Sequence, residues 1–314
     1  MEFGVKTGQG GYTYEDLVKV WSAAEELGFS SAWLYDHFYS LGDKNDPCLE
    51  AWVTLAALAA VTKRVKIGTM VTSASYRKPS LLAKMGATVD VLSHGRLVMG
   101  IGSGWHEEEY RAYGYEFPDL TTRVTQLKET LIIIDKMWTE EKPSFKGQFH
   151  TINEPLCLPK PIQKPRPKIL IGIATGKKTL PYLAVRYGDG VNITSGSFNE
   201  TKEIIEAVLS QAKRRDKKIS DLVISWQGFM VIGRTVAETD RLVERTAKRR
   251  GQSVSEFRSY ATSSGFIIGQ PDDCVRELRK FKEAGVNEFY IGFMGDREIE
   301  PLRTFRDEAI PELR

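Results

Sequence analysis

The sequence predicts an α/β protein, and within that class a (β/α)8 TIM barrel. Three observations carry the prediction. An amphipathic helix, a glycine and a short β-rich run recur along the chain, at Leu27-Gly28-Phe29, at Tyr187-Gly188-Asp189-Gly190 and at Ala284-Gly285-Val286. A glycine closing a helix just before a strand marks an αβ unit, and its repetition marks a series of them. Runs such as Val65-Lys66-Ile67-Gly68-Thr69-Met70-Val71 are short and apolar enough for strands buried on both faces. The count of such runs is eight, each with a helical stretch behind it, which is the barrel number. A doubly wound open sheet is the alternative, because periodicity does not show closure.

In order, the strands are expected near Phe3–Lys6, Ala32–Tyr35, Val65–Val71, Leu97–Ile101, Ile169–Ile173, Gly190–Ile193, Val223–Ile232 and Glu288–Phe293. Helices are expected over Tyr14–Leu27, Leu49–Thr62, Pro79–Leu92, Arg123–Trp138, Glu200–Arg214, Val236–Arg250 and Pro271–Ala284. Six of the 13 prolines fall between Pro143 and Pro167, and proline denies both helix interior and central strand. The stretch at about 140–167 therefore reads as an insertion, with a small hairpin around Gly147. Arg245–Tyr260 reads as a second, charged, helical insertion. The 314 residues are then one domain, a length that a single barrel can use.

The charge balance, 44 Lys+Arg against 41 Asp+Glu, is too even to suggest a nucleic-acid partner. With 41% hydrophobic residues the chain is not disordered. No apolar run approaches the roughly 18 residues of a membrane span, so no membrane partner is expected. Cys48, Cys157 and Cys274 are odd in number and far apart, which suits a reducing compartment. With no signal peptide legible at Met1-Glu2-Phe3, a cytoplasmic location is expected.

Barrel chemistry sits at the C-terminal ends of strands, which makes Asp36 and His37 the first candidates. Histidine suits proton transfer near neutral pH, although the same pair would also serve to close a strand with hydrogen bonds. After strand four comes Gly100-Ile101-Gly102-Ser103-Gly104-Trp105, whose glycines let a flat ring approach and whose tryptophan can wall it. The spacing is not that of a dinucleotide-binding fingerprint. Glu107 and Glu108 read as first-turn carboxylates complementing a helix dipole. His106 and Glu109 could face together, but no third ligand accompanies them, so no metal is expected. Ala174-Thr175-Gly176-Lys177-Lys178 follows strand five and Thr194-Ser195-Gly196 follows strand six; both suit a phosphate, and both also have the composition of ordinary loops. Arg123, at a helix start, is expected to partner a carboxylate or a ligand.

Taken as an ordered set, these residues are recognisable. Leu27-Gly28-Phe29-Ser30-Ser31-Ala32-Trp33, Asp36-His37, Val65-Lys66-Ile67-Gly68-Thr69, Arg77-Lys78-Pro79-Ser80 and Ser93-His94-Gly95-Arg96 follow one another, and Gly102-Ser103-Gly104-Trp105, Glu108, Gly114, Trp138-Thr139 and Gly188-Asp189-Gly190 continue the series. The chain resembles the luciferase-like monooxygenase superfamily, and within it the coenzyme F-420-dependent oxidoreductases, over nearly its whole length. The resemblance implies a barrel of the bacterial luciferase-like type, usually a homodimer, that transfers a hydride between coenzyme F-420 (a deazaflavin) and a small organic substrate. An FMN-dependent monooxygenase is the alternative, and a non-catalytic flavin-binding barrel a third reading. The resemblance further implies His37 beside the reactive ring, with Asp36 orienting the adjacent backbone or a ring nitrogen. It implies a non-prolyl cis bond at Met70–Val71 behind the ring. Gly102, Ser103, Gly104 and Trp105 would line the ring, and Ala174–Lys178 with Thr194, Ser195 and Gly196 would hold the cofactor phosphate. Lys177, Lys178 and Arg77 would compensate the acidic tail of F-420. The sugar-phosphate dehydrogenases of this group carry Trp where Leu41 stands, Glu where Trp105 stands and Lys where Ser197 stands, so glucose-6-phosphate is not the expected substrate.

Overall fold

The computed structural model describes residues 1–194, 196–294 and 299–314. Its strands are β1 (Glu2–Lys6), β2 (Ser31–Leu34), β3 (Lys66–Ser73), β4 (Leu97–Gly102), β5 (Ser144–Lys146), β6 (Thr151–Asn153), β7 (Lys168–Ile173), β8 (Gly190–Thr194), β9 (Val223–Ile232), β10 (Ile267–Gly269) and β11 (Glu288–Phe293). Its longer helices are α1 (Tyr14–Glu26), α2 (Ala51–Val61), α3 (Pro79–Leu92), α4 (Glu107–Ala112), α5 (Leu120–Thr139), α6 (Thr179–Tyr187), α7 (Phe198–Lys213), α8 (Val236–Arg249), α9 (Val254–Ser263) and α10 (Pro271–Glu283).

Parallel pairing runs β9-β11-β1-β2-β3-β4-β7-β8 and returns from β8 to β9, so eight strands close. Closure removes sheet edges and excludes the open-sheet alternative. β9 is long enough to serve two neighbours on one side: Val223–Gln227 pair with β8, while Met230–Ile232 pair with β10. Period-2 alternation sorts the side chains. Phe3 and Val5 of β1 join the core between sheet and helices, and Trp33, Met70, Val98, Leu170, Val223 and Tyr290 fill the barrel interior.

All eight expected barrel strands are present, with ends shifted by a residue or two. Several other expectations need correction. Gly28 and Gly285 adopt the left-handed conformation, φ 80° and 112°, but Gly188 is extended at φ −114°. Gly188 is required instead by closeness, since a Cβ there would lie 3.0 Å from Ala184 O and Ile169 O. The charged segment Arg245–Tyr260 is not one helix: the chain turns at Gly251 (φ 64°) between α8 and α9. The strand β10 was not anticipated, and α6 is the helix expected to end at Tyr187. The hairpin around Gly147 is present as β5–β6. Its turn is held by the Glu129 carboxylate, which accepts from the backbone N–H groups of Gln148, Phe149 and His150. Cys48, Cys157 and Cys274 are free thiols. Among the described residues no helix is long and apolar enough to cross a membrane.

Candidate active site at the C-terminal mouth

The chain leaves β2 into Tyr35-Asp36-His37, and the first question is what holds these side chains. Asp36 is buried and accepts from Ser73 N at 3.1 Å and from both terminal nitrogens of Arg77 at 2.7 and 3.0 Å. Arg77 also donates to Glu50, which caps α2. Burial disfavours the charged forms of Asp36 and Arg77 alike, and the two carboxylates hold the guanidinium proton all the more tightly. Asp36 therefore ties the end of β2 to the end of β3 through the backbone of Ser73. Arg77, expected to meet an acidic tail, is locked behind it.

His37 is held by Glu109, which the sequence paired with His106 instead. Its Nδ1 lies 2.8 Å from Oε2 of Glu109, a fully buried carboxylate on α4. The same carboxylate accepts from Tyr76 OH at 2.6 Å, from Tyr39 N at 2.9 Å and from Phe38 N. Burial alone would raise the Glu109 pKa, but the hydrogen bonds from His37, Tyr76 and the backbone outweigh it and hold it at about 2. Glu109 is thus an anion at neutral pH and only accepts. In neutral His37 the proton then sits on Nδ1, and Nε2 keeps the lone pair. Nε2 has no protein partner among the described residues. The ring is walled edge-on by Tyr35, Trp105 and His106, with centroids 5.4–5.8 Å away.

The acidic run is therefore divided in its work. Glu107 pairs with Arg111 and Glu108 with Lys44, both on the surface, while Glu109 turns inward. In sequence the three look alike; only the i,i+3 spacing of His106 and Glu109 hinted that one faces a histidine. Ligand atoms of His37, His106 and Glu109 lie within 4.8 Å of one another, so a third metal-type ligand does accompany the other two, contrary to expectation. The Glu109 oxygens are already occupied by four protein donors, which suits a histidine support better than a coordination site. Arg123 stacks on Phe117 at 3.9 Å and donates to Pro118 O; it meets neither a carboxylate nor the mouth.

The neighbouring strand ends clear a floor. The Met70–Val71 bond is cis, and the register of β3 on β4 shifts between Thr69 and Thr72, a bulge that brings Val71 forward. Glycines surround it: a Cβ added at Gly100, Gly102 or Gly172 would lie 3.1, 2.9 or 2.6 Å from the Val71 methyls. Gly104, at φ 77°, leaves room for the Tyr110 hydroxyl, which bonds Ser73 Oγ. Beside Ser103 and Gly104, Trp105 stands 63% exposed at the rim.

Farther round, Ala174, Thr175, Gly176, Lys177 and Lys178 form an exposed loop, with Gly176 at φ 98°, ahead of α6. No side chain caps that helix, so its first N–H groups face outward. Lys177 pairs with Glu203. Thr194 Oγ1 accepts from Gln227 at 3.2 Å, Gly196 lies beside Gly265, and Ser195 falls outside the described residues. The expected residues thus stand at the C-terminal ends of β2, β3, β4, β7 and β8, on one rim of the barrel.

Residues 1–288 match the family described as luciferase-like monooxygenase. The chain belongs to that family. Among curated proteins, this luciferase-like chain is 27% identical to the F-420-dependent glucose-6-phosphate dehydrogenase of Amycolatopsis mediterranei (strain U-32), covering 100% of the chain and 99% of that protein. It is 32% identical to the enzyme of the same name from Kineococcus radiotolerans, over 70% of the chain and 60% of that protein. Among solved structures, an F-420-dependent secondary alcohol dehydrogenase in complex with an F-420-acetone adduct superposes with a TM-score of 0.84 at 22% identity, covering 100% and 99% of the two chains. The monooxygenase RslO1 from Streptomyces bottropensis superposes at 0.86 with 20% identity, covering both chains fully. These structural likenesses establish the luciferase-like (β/α)8 barrel.

Proposed function

We propose that this luciferase-like protein is an oxidoreductase that uses coenzyme F-420 to exchange a hydride with a small organic substrate. The observation that carries the reading is the His37–Glu109 pair, fixed at the rim beside a floor that glycines have cleared around Val71. The floor fits a flat tricyclic ring: Gly100, Gly102 and Gly172 present no side chain, and each is a place where a Cβ would crowd Val71. The F-420-dependent relatives, aligned along the whole chain, favour the deazaflavin over FMN. When bound, the deazaflavin supplies the hydride chemistry.

The protein's own residues bind, orient and move a proton. His37 Nε2 exchanges a proton with the substrate oxygen or nitrogen, and Glu109 holds the ring and stabilises its protonated form. Asp36 is a positioning residue that fixes the backbone of β2 and β3 around His37. Val71, Gly102–Trp105 and Met70 border the ring, while the exposed loop Ala174–Lys178, with Thr194 and Gly196 and with Ser195, which lies outside the described residues, receives the phosphate. The substrate differs from the sugar phosphate named for the relatives. Ser197 is committed to the capping box of α7, Leu41 is exposed, and Trp105 stands where a carboxylate would be needed.

Fluorescence titration with F-420 and with FMN tests the reading. F-420 is expected to bind in the micromolar range or tighter, at least about tenfold better than FMN. Tight FMN binding with no response to F-420 would reverse the assignment in favour of a monooxygenase.

We also propose a homodimer. Helix α2 is apolar on every side, yet Val53 on it is 71% exposed, and Leu81 on α3 and Leu156 and Leu158 beyond it are exposed as well. Apolar surface left open in this way marks an interface. Sedimentation is expected to give twice the 35.4 kDa chain mass, and Val53→Glu to shift it toward one. A wild-type chain sedimenting as a monomer removes this proposal.

A further inference from the structure

Lys6 ends β1 and belongs to none of the groups described above. Phe3 and Val5 point outward into the helix-facing core, so Glu2, Gly4 and Lys6 point into the barrel, Lys6 at the C-terminal mouth. Gly292, the neighbouring position on β11, has no side chain, and a Cβ there would lie 2.5 Å from the Phe229 ring and 3.3 Å from Lys6 O. Through that gap Lys6 crosses β11 and places its ammonium 4.3 Å from the centre of the Phe229 ring.

A lysine that merely packs its stem turns its head to water. This one keeps its head over an aromatic face, and no carboxylate among the described residues pairs with it. Desolvation lowers its pKa to about 8. One pleat below Phe229 on the same strand, Gln227 Oε1 is buried without a partner. The wall formed by β9, β11 and β1 therefore carries an unpaired cation and an unsatisfied amide. It lies between β2, which leads to His37, and β8, which ends at Thr194, and Lys6 itself is not among the proposed cofactor contacts.

We infer that Lys6 is an anion-receiving residue of the mouth, and that the substrate taken there carries an anionic oxygen, as a carboxylate or a phosphate monoester. This rests on the reading of the mouth as a substrate and cofactor site. An acidic oxygen above Lys6 would give the ammonium the charged acceptor it lacks, in a setting that strengthens such a bond.

Calorimetric titration of the full chain with benzoate and, separately, inorganic phosphate tests the inference on wild type, Lys6→Met and Lys6→Arg. One of the two anions is expected to bind wild type, and which one distinguishes carboxylate from phosphate. Lys6→Met is expected to weaken it by about tenfold or more, with Lys6→Arg retaining most of it. Circular dichroism establishes that the variants are folded. F-420 titration of folded Lys6→Met is expected to match wild type, because the proposed cofactor contacts do not include Lys6. Wild type binding neither anion, or Lys6→Met binding as wild type does, overturns the inference. So does a folded Lys6→Met that loses F-420 along with the anion, which would assign Lys6 to the cofactor. Should wild type fail to bind F-420, the proposed function fails, and the anion titrations still decide the role of Lys6.

Discussion

His37→Ala lowers kcat by about 10²–10⁴-fold, the span of a general acid–base catalyst, while F-420 affinity stays within about threefold. The expectation follows from the way the ring is held. Nδ1 is taken by an ionised carboxylate and Nε2 has no protein partner among the described residues, so the residue is prepared for proton exchange and contributes little to holding a large cofactor. Stopped-flow turnover beside fluorescence titration separates the two effects. Unchanged turnover in His37→Ala removes the residue from the mechanism. Glu109→Gln is the companion variant, with a signature of its own in stability. The Glu109 pKa of about 2 lies below the ordinary 4.5, so its folded-state interactions stabilise the protein fully above the ordinary value. That contribution is lost as pH falls toward 2. Glu109→Gln should therefore be less stable at neutral pH and lose less stability than wild type on acidification, measured by urea unfolding across pH.

Arg77→Ala is expected to destabilise the protein by about 3–5 kcal/mol, the cost of leaving a buried charge without its partner. The Asp36 side chain is 1% exposed and the Arg77 side chain 9%, so water cannot replace the guanidinium. Chemical denaturation reads this directly. The paired replacement Asp36→Asn with Arg77→Met should recover part of the loss, since no uncompensated carboxylate then remains. Full stability in Arg77→Ala would show that the ion pair is dispensable. Activity is expected to fall in Arg77→Ala as well, because the carboxylate it fixes also holds the Ser73 amide at the end of β3.

The barrel was legible because parallel strands buried on both faces leave short, mostly apolar runs, and β3, β4 and β9 read as such. β10 escaped because three residues carry no periodicity. Helix α6 was legible at its end, Tyr187 before Gly188, while Pro181 in its first turn hid its start. At the site, Asp36 and His37 were legible from their place after a strand. The division of labour between them was not: Asp36 faces Arg77, and the carboxylate that serves His37 comes from Glu109, 72 positions later. Locally only its i,i+3 spacing from His106 separates Glu109 from Glu107 and Glu108, and the fold alone brings it to His37. Lys6 was equally hidden, one lysine among many, until the alternation of β1 placed it inside the barrel.

The crowding around Val71 bears on how such a protein can diverge. An added methyl at Gly172 or Gly102 would lie less than 3.0 Å from Val71, closer than real side chains come. Drift at the floor of the mouth is therefore blocked one position at a time, whatever the selective pressure. The rim is under no such restraint, with Trp105, Leu41 and the segment before α6 all exposed. A lineage built on this barrel would be expected to inherit its ring platform unchanged and to acquire new substrates from the edge inward.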